Sequence, residues 1–221
     1  MLNSKKIALV AGATGLVGTE LVHLLSKDDY YDEIIILLRK DNALSNLPKV
    51  HRIIIDFQNL SKGLENVNAT HVYCCLGTTM KKAGNKEAFK KVDYEYCKEL
   101  AEITFKNKAK TFLVVSSLGA KSNSLFFYNR VKGELEETLK KTGFQSLYIF
   151  RPSLLLGDRK EKRSGEDVAK KMYAIIDKIF IGPLKKYSGI EASQVAYSMI
   201  KMAKTENQGI VVLESDEIKA I

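Results

Sequence analysis

The 221-residue sequence contains no uninterrupted apolar stretch long enough to cross a lipid bilayer, so we expect no membrane-spanning helix. The first apolar run begins at Ile7, which is expected to leave no room for a cleavable leader before it. The cysteines are Cys74, Cys75 and Cys97, an odd number without the spacing of a metal site. We therefore expect no bound metal, and reduced, buried thiols in a cytoplasmic protein.

The sequence also lacks the signatures of a helix-turn-helix, a zinc finger or an RNA-binding domain. Its formal net charge is +9, which on its own is compatible with a nucleic acid or an anionic membrane as partner. The lysines are scattered in pairs, however, and the densest basic run, 158–163, is interrupted by acids. We interpret the excess as a solvated surface that also attracts phosphate groups, and we expect no nucleic-acid partner.

The sequence does contain a regular alternation of short apolar runs and helical patterns, without internal repeats or low-complexity linkers. The runs are continuously apolar, which is typical of parallel strands covered on both faces. The alternation predicts an α/β fold with a doubly wound parallel sheet, in a single domain over 1–221. A small C-terminal substrate-side lobe is expected within it at 153–191. The predicted strands are 7–11, 34–38, 53–55, 71–76, 111–115, 147–150 and 209–213.

The stretch from Ile7 to Gly18 joins the first apolar run to a helical pattern through three glycines. Strand, glycine turn and helix in this order are typical of a dinucleotide-binding site, because the glycines permit a tight turn, a close approach of phosphate and close packing of helix on strand. The alternative is a turn shaped only by packing. The predicted cofactor contacts, with phosphates at the helix N-terminus, are Gly12, Ala13, Thr14, Gly15, Leu16, Val17 and Gly18.

The residues after the second predicted strand discriminate between the two nicotinamide cofactors. An acid there usually holds the ribose 2′-hydroxyl of NAD, and a base accepts the 2′-phosphate of NADP. Arg39 and Lys40 occupy this position, and no acid occurs until Asp41. A charge-assisted contact is worth about 1.5–3 kcal/mol, so the sequence predicts NADP(H) over NAD(H), unless Arg39 and Lys40 are simply an exposed loop. Asp56, after the third strand, is expected either to contact adenine or to cap the helix near Leu60.

A serine pair, a tyrosine and a lysine follow in the order of a proton-transfer site. Ser116 and Ser117 end the fifth predicted strand, at the sheet edge where parallel α/β folds bind ligands. Tyr128 and Lys132 are four residues apart, so they lie on one helix face, where an ammonium favours the phenolate needed for general acid–base catalysis. One serine would hold the substrate oxygen. Tyr128 and Lys132 are also predicted to contact the cofactor, with Lys132 holding the nicotinamide ribose. Adjacent strand residues point to opposite faces, and the choice between Ser116 and Ser117 stays open.

Together, the strings GATGLVG, Ser116-Ser117 and Tyr128-Asn-Arg-Val-Lys132 resemble the short-chain dehydrogenase/reductase superfamily in its extended or atypical branch. More narrowly, the sequence resembles the Tat-interacting-protein-like family of NADPH-binding oxidoreductases, from the first strand to about residue 200. The strings that carry this narrower resemblance are Cys74-Cys-Leu-Gly-Thr-Thr79, Val92-Asp93, Gly119-Ala120-Lys121-Ser122, Val131-Lys132-Gly133-Glu134 and Phe150-Arg151-Pro152.

The resemblance implies a Rossmann fold and an NADP(H)-dependent oxidoreductase that transfers hydride to or from a small carbonyl or alcohol substrate. It also implies further cofactor contacts, at Leu76, Gly77 and Thr78 beside the adenine ribose and pyrophosphate, and at Pro152 and Ser153 beside the nicotinamide. Two alternatives are a redox-sensing regulator that binds NADP(H) without turnover, and an NAD(P)-dependent sugar-nucleotide epimerase or dehydratase. The short chain after Arg151 argues against a large nucleotide-sugar domain.

Two long helices are predicted at 85–104 and 127–141. The first carries Phe89, Val92, Tyr96, Leu100 and Ile103 on one face. Relatives in the superfamily often dimerise through these helices, so a homodimer is one expectation. Packing against the core explains the same apolar residues equally well. Because the chain begins almost on the first strand, the partner-protein roles of eukaryotic relatives are not expected to carry over.

Overall fold

The computed structural model describes residues 5–157, 187–205 and 207–221. The strands of this part are β1 (Ile7–Ala11), β2 (Glu33–Leu38), β3 (Val50–Ile54), β4 (His71–Cys74), β5 (Thr111–Val115), β6 (Ser146–Arg151), β7 (Leu155–Leu156), β8 (Ile190–Glu191) and β9 (Gly209–Glu214). Seven of these strands form one parallel sheet in the order β3-β2-β1-β4-β5-β6-β9, and β7 pairs with β8 in a separate ladder. The predicted doubly wound parallel sheet is confirmed.

Helices cover both faces of the sheet, and none in the described ranges is long and apolar enough to cross a membrane. They are α1 (Leu16–Ser26), α2 (Leu60–Leu64), α3 (Met80–Ala83), α4 (Lys86–Lys90), α5 (Tyr96–Lys106), α6 (Phe127–Lys140), α7 (Ala192–Lys204) and α8 (Ser215–Lys219). A 3₁₀ turn (Ala43–Asn46) follows β2, and a π-helical turn (Lys91–Glu95) joins α4 to α5. Helices α1, α7 and α8 cover one face, and α2, α5 and α6 cover the other.

The central strand β1 explains why its sequence is continuously apolar. Ala8 and Val10 pack beneath α1 and α7, while Leu9 and Ala11 pack on the opposite face, and all four are fully buried. The prediction that both faces of every strand are covered is wrong at the two edges of the sheet. Most of β3 is exposed, as is the start of β9, because an edge strand has only one neighbouring strand.

The observed bounds differ from the predicted ones where the apolar pattern misleads. Strand β3 begins three residues earlier than predicted, since His51 and Arg52 face solvent yet pair with β2. Strand β4 ends at Cys74 rather than at 76; the amide of Cys75 still bonds to Ala11 O at 2.8 Å. The chain then turns. Most of the predicted lobe at 153–191 lies outside the described residues.

The sheet reverses its winding between β1 and β4, and the turn after β1 is packed against the end of β4. Gly12 has φ +81°, a left-handed conformation that side chains disfavour, and a Cβ there would overlap the carbonyl oxygen of Cys75. At Gly18, a Cβ would overlap Gly12 O. Both glycines are therefore required by close backbone contact at the topological switch point, where open α/β sheets form their ligand crevice.

Replacing Gly12 by alanine should lower the free energy of unfolding by more than backbone strain alone. Gly84 has φ +80°, and a Cβ added to it would meet no other atom within 4 Å, so Gly84→Ala isolates the strain, at about 1–2 kcal/mol. Gly12→Ala adds a backbone clash, and we expect a loss of about 3 kcal/mol or more. Urea unfolding of both variants measures the difference. Equal losses would contradict the packing role of Gly12.

Candidate functional site

The turns that follow five neighbouring strands meet at one edge of the sheet. They are the turns after β2, β1, β4, β5 and β6, in that spatial order, and they carry Arg39-Lys40, the glycine loop, Leu76–Thr78, Ser116-Ser117 and Pro152-Ser153. Hydrogen bonds continue the alignment beyond the strands, from Ser116 N to Phe150 O at 2.7 Å and from Leu118 N to Pro152 O at 2.9 Å. The structure thus brings these predicted site residues to one edge of the sheet, where open parallel sheets bind their ligands.

The glycine loop presents backbone rather than side chains to this crevice. Thr14 and Gly15 are exposed, whereas Ala13 and Val17 are buried in the core beneath α1. Gly15 is the N-cap of α1 and provides no side-chain cap, so the amides of the first turn are left for another acceptor. Unpaired amides at a helix N-terminus suit a phosphate group, and the loop therefore fits the pyrophosphate of a dinucleotide.

The predicted 2′-phosphate residues are exposed at the end of β2. Neither Arg39 nor Lys40 forms an ion pair within the described residues. The carboxylate of Asp41, in contrast, is engaged through Oδ1 by Arg52 Nε at 3.2 Å and Ser45 Oγ at 3.1 Å. One oxygen of the acid in this turn is thus engaged by other donors, while the two preceding cations are exposed without an ion pair in the described residues.

Asp56 holds a turn of its own chain. Its Oδ1 accepts the amide of Gln58 at 2.9 Å, and its Oδ2 accepts Asn59 Nδ2 at 3.1 Å. The hydrogen bond from the Gln58 amide lowers the pKa of the Asp56 carboxyl from its ordinary value. Helix α2 begins at Leu60 with Asn59 as its N-cap, so Asp56 shapes the turn before the helix and does not cap it. The adenine contact of Asp56 stays a prediction.

One face of α6 carries Tyr128, Lys132 and Glu136, each four residues after the last. Tyr128 lies in the first turn and is 38 % exposed, with its ring 5.5 Å from the ring of Phe89. Lys132 and Glu136 are buried, each in an ion pair with another element. The helix therefore offers a phenol to the crevice and fixes its own position with two buried charges.

Lys132 pairs with Asp93, which the sequence interpretation did not assign to the site. Lys132 Nζ lies 2.7 Å from Asp93 Oδ1, with the two side chains 4 % and 1 % exposed. Asp93 Oδ2 accepts the amide of Thr78 at 2.8 Å. Burial by itself lowers the pKa of the Lys132 ammonium, but Asp93 and Tyr128 outweigh it and hold this pKa above its ordinary value. Lys132 is therefore charged at neutral pH.

The π-helical turn explains why Asp93 was missed. The predicted apolar face ran from Phe89 through Val92 and Tyr96, but Val92 and Tyr96 are only half-buried. The inward positions after Phe89 are Asp93 and Cys97, because a π-helical turn holds an extra residue and displaces the face that follows. The available signal was an acidic residue, Asp93, within an apolar helical stretch. The sequence interpretation assigned its neighbour Val92 to the buried face instead.

The two serines have different partners. Ser116 Oγ donates to Glu136 Oε1 at 2.5 Å, and Arg151 binds the same carboxylate with Nε at 3.0 Å and Nη2 at 2.5 Å. The hydroxyl of Ser117 has only a weak contact, at 3.5 Å, with Leu118 O. Ser116 is thus committed to a buried network that joins β5, α6 and β6, while the hydroxyl of Ser117 has no strong acceptor in the described part of the chain.

The three cysteines are free thiols, with Cys74 and Cys97 buried and Cys75 half-buried against the core. Burial of the thiol group raises the pKa of Cys75 to about 12, and the neighbouring Cys74 thiol together with burial raises the pKa of Cys97. Thiols with raised pKa values are poor nucleophiles and metal ligands at neutral pH. Across the described ranges, no group of three or more His, Cys, Asp or Glu side chains is placed to hold a metal ion.

Comparison with known proteins places the chain in a family. The model of the HIM1 family matches residues 41–186, which is more than half of the chain. The chain belongs to the HIM1 family. Protein HTATIP2 of Rattus norvegicus is 33% identical to this chain over 174 residues, which cover 76% of this chain and 70% of the relative. Protein FMP52, mitochondrial, of Candida albicans is 35% identical over 167 residues, covering 73% and 72%.

The fold of this chain matches solved structures of UDP-sugar epimerases. UDP-glucuronic acid 4-epimerase from Bacillus cereus, solved in complex with NAD, superposes with a TM-score of 0.70 at 16% identity, covering 96% of this chain and 78% of that one. The resemblance inferred from the sequence motifs is confirmed at the level of family and fold. Fungal relatives are named as mitochondrial, so the relatives do not support the predicted cytoplasmic location.

The network around Glu136 should dominate the stability of this edge of the sheet. Glu136→Gln removes the buried carboxylate that binds Arg151 and leaves only Glu214, 4.0 Å away, as its counter-charge. Because Arg151 is partly exposed, we expect a loss at the low end for a broken buried pair, about 3 kcal/mol in the free energy of unfolding. Glu137, the next residue, pairs with Lys140 on the exposed surface, so Glu137→Gln should cost about 0.5 kcal/mol or less. Urea unfolding compares the two variants. Similar small losses in both would contradict a structural role for the network.

Proposed function

We propose that this chain is an NADP(H)-dependent oxidoreductase of the short-chain dehydrogenase type, acting on a small carbonyl or alcohol substrate. The observation that carries the proposal is the position of Tyr128 and Lys132. They lie on one face of α6, where Lys132 contacts Asp93 beneath the turn after β4 and Glu136 anchors the helix to the ends of β5 and β6. A proton donor with an adjacent cation at the ligand edge of a parallel sheet is suited to reduction of a carbonyl group.

In this proposal a reduced nicotinamide cofactor supplies the hydride. The phenol of Tyr128 donates its proton to the substrate oxygen, and the charge of Lys132 stabilises the phenolate that remains. Ser117 holds the substrate oxygen beside Tyr128, because its hydroxyl is uncommitted while that of Ser116 is bound to Glu136. When the cofactor is bound, Pro152 and Ser153 would border the nicotinamide, and Leu76, Gly77 and Thr78 would line the adenine ribose and pyrophosphate.

The charges after β2 support NADP(H) as the cofactor. Arg39 and Lys40 are exposed cations directly after β2, and the next acid, Asp41, is engaged through Oδ1 by Arg52 and Ser45. A base rather than an acid directly after this strand favours a 2′-phosphate over a 2′-hydroxyl. The glycine loop, with its uncapped helix N-terminus, supplies the amides for the pyrophosphate.

Turnover should depend on the Tyr128 hydroxyl. We expect Tyr128→Phe to reduce kcat by about 10²–10⁴-fold, because the proton donor is lost, with unchanged NADPH affinity. Tyr197, on α7, is exposed to a similar extent at 41%, and Tyr197→Phe should leave kcat unchanged. NADPH oxidation with a panel of aldehydes, ketones and quinones provides the measurement, and fluorescence titration provides the affinity.

The same experiment separates the alternatives. Tight NADPH binding with no turnover above that of Tyr128→Phe would favour a redox-sensing regulator. Cofactor that co-purifies and stays oxidised would instead favour transient hydride transfer, as in an epimerase or dehydratase. Either result would overturn the proposed reductase.

Cofactor preference should depend on Arg39. Arg39→Ala removes a charge-assisted contact and should weaken NADPH binding by about 10–100-fold, with no effect on NADH. Lys106 is exposed at the end of α5 that leads to the opposite edge of the sheet, so Lys106→Ala tests for a general effect of charge. The dissociation constants of both cofactors are measured by fluorescence. An equal loss for NADPH and NADH would contradict a 2′-phosphate contact.

A further inference from the structure

We propose that Asp93 is a positioning residue that ties the Gly77-Thr78 turn to Lys132, so that cofactor affinity and turnover both depend on a carboxylate that contacts neither cofactor nor substrate. The proposal rests on the proposed function, since it gives Asp93 a role in binding and turnover at the same site. It is carried by three elements that converge on one buried side chain: the turn after β4, the π-helical turn and α6.

Both carboxylate oxygens of Asp93 have a defined partner. Oδ1 lies 2.7 Å from Lys132 Nζ, and Oδ2 accepts the amide of Thr78 at 2.8 Å. Asp93 is 1 % exposed, so it is shielded from solvent and from any ligand in the crevice. Its influence on a ligand therefore acts through Lys132 and the Thr78 backbone, which are the groups it holds.

The turn after β4 faces the pair. A Cβ at Gly77 would lie at ordinary van der Waals distance, 3.4 Å from Asp93 Oδ1 and 3.8 Å from Lys132 Nζ, so both charges lie next to Gly77. A displacement of Asp93 would alter the path of the turn through its hydrogen bond with the Thr78 amide. The coupling also acts in the reverse direction, because a cofactor that orders Gly77 and Thr78 would also order Asp93 and, through it, Lys132.

The charge of Asp93 keeps Lys132 an ammonium. A buried lysine without a counter-charge favours the neutral amine, and loss of one member of a buried pair leaves the other uncompensated. The amine form could not stabilise the phenolate of Tyr128. Asp93 thus contributes a charge, directed at Lys132, and a hydrogen-bond acceptor, directed at Thr78, and the two contributions can be removed separately.

Two contacts, one between aromatic rings and one between charges, align the helices that carry these residues. Phe89 and Asp93 are four residues apart, as are Tyr128 and Lys132. The ring of Phe89 packs 5.5 Å from that of Tyr128, and the carboxylate of Asp93 binds Lys132. The π-helical turn brings Asp93 to the core side of its helix, in line with Phe89. Tyr128 and Lys132 are therefore set by one neighbouring helix segment.

Two substitutions of Asp93 test the proposal. Asp93→Asn keeps an acceptor for Thr78 and removes the charge; Asp93→Ala removes both. We expect Asp93→Asn to lower kcat by at least about tenfold with little change in the NADPH dissociation constant. We expect Asp93→Ala to lower kcat similarly, to raise the NADPH dissociation constant about tenfold, and to accelerate hydrogen exchange of the Thr78 amide. Glu95→Gln, an exposed carboxylate on the same turn, should change none of these.

The readouts separate this proposal from the proposed function. Hydrogen exchange at Thr78 and the NADPH dissociation constant need no turnover, so a chain that binds NADPH without reducing any substrate still tests Asp93. A purely structural role predicts lower thermal stability in both variants with NADPH affinity and Thr78 protection unchanged in the folded protein, and this result would overturn the proposal. If Asp93→Ala does not fold, Asp93→Asn alone tests the proposal. In an active enzyme, an unchanged kcat would overturn the positioning role of Asp93. In an inactive one, unchanged NMR signals of the Lys132 side chain would overturn it.

Discussion

The docking of α6 onto the sheet through two buried ion pairs is the constraint on which the rest of the site depends. Lys132 binds Asp93 on the neighbouring helix, and Glu136 binds Arg151 at the end of β6. Helix α6 contributes the cation to the first pair and the anion to the second. Sliding the helix by one turn would therefore bring like charges together. A buried charge tolerates little displacement, since each alternative position leaves it without a partner. The register of α6, and with it the place of Tyr128, is set by electrostatics rather than by apolar packing alone.

The glycine loop illustrates the part of the fold that local sequence predicts well. Its requirements are met by residues adjacent in the chain: an apolar run, a left-handed Gly12 and an amphipathic α1. The same holds for Tyr128 and Lys132, whose spacing places them on one helix face. Features that depend on periodicity within one segment can be predicted, because the residues that show the sequence pattern are the same residues that form the structure.

Asp93 and Ser116 illustrate what local sequence could not predict. Asp93 faces inward because of a π-helical turn, and its partners are 15 and 39 positions away in the chain, at Thr78 and Lys132. Ser116 and Ser117 are adjacent hydroxyls, and only the position of Glu136 distinguishes them. Such assignments depend on tertiary contacts between distant segments. The bounds of β3 were misjudged for a related reason, since an edge strand keeps its pairing while its side chains turn polar.

The contact between Gly12 and Cys75 has a consequence for how this crevice can change through mutation. It is made by the main-chain carbonyl at position 75, so it restricts the residue at position 12 whatever side chain position 75 carries. The side chain at position 75 is restricted instead by the core against which it packs, so a family built on this loop can exchange the thiol for another small apolar group without reshaping the glycine turn. Gly12 has no such freedom, so the residues at positions 12 and 75 are expected to evolve at different rates although they share one contact.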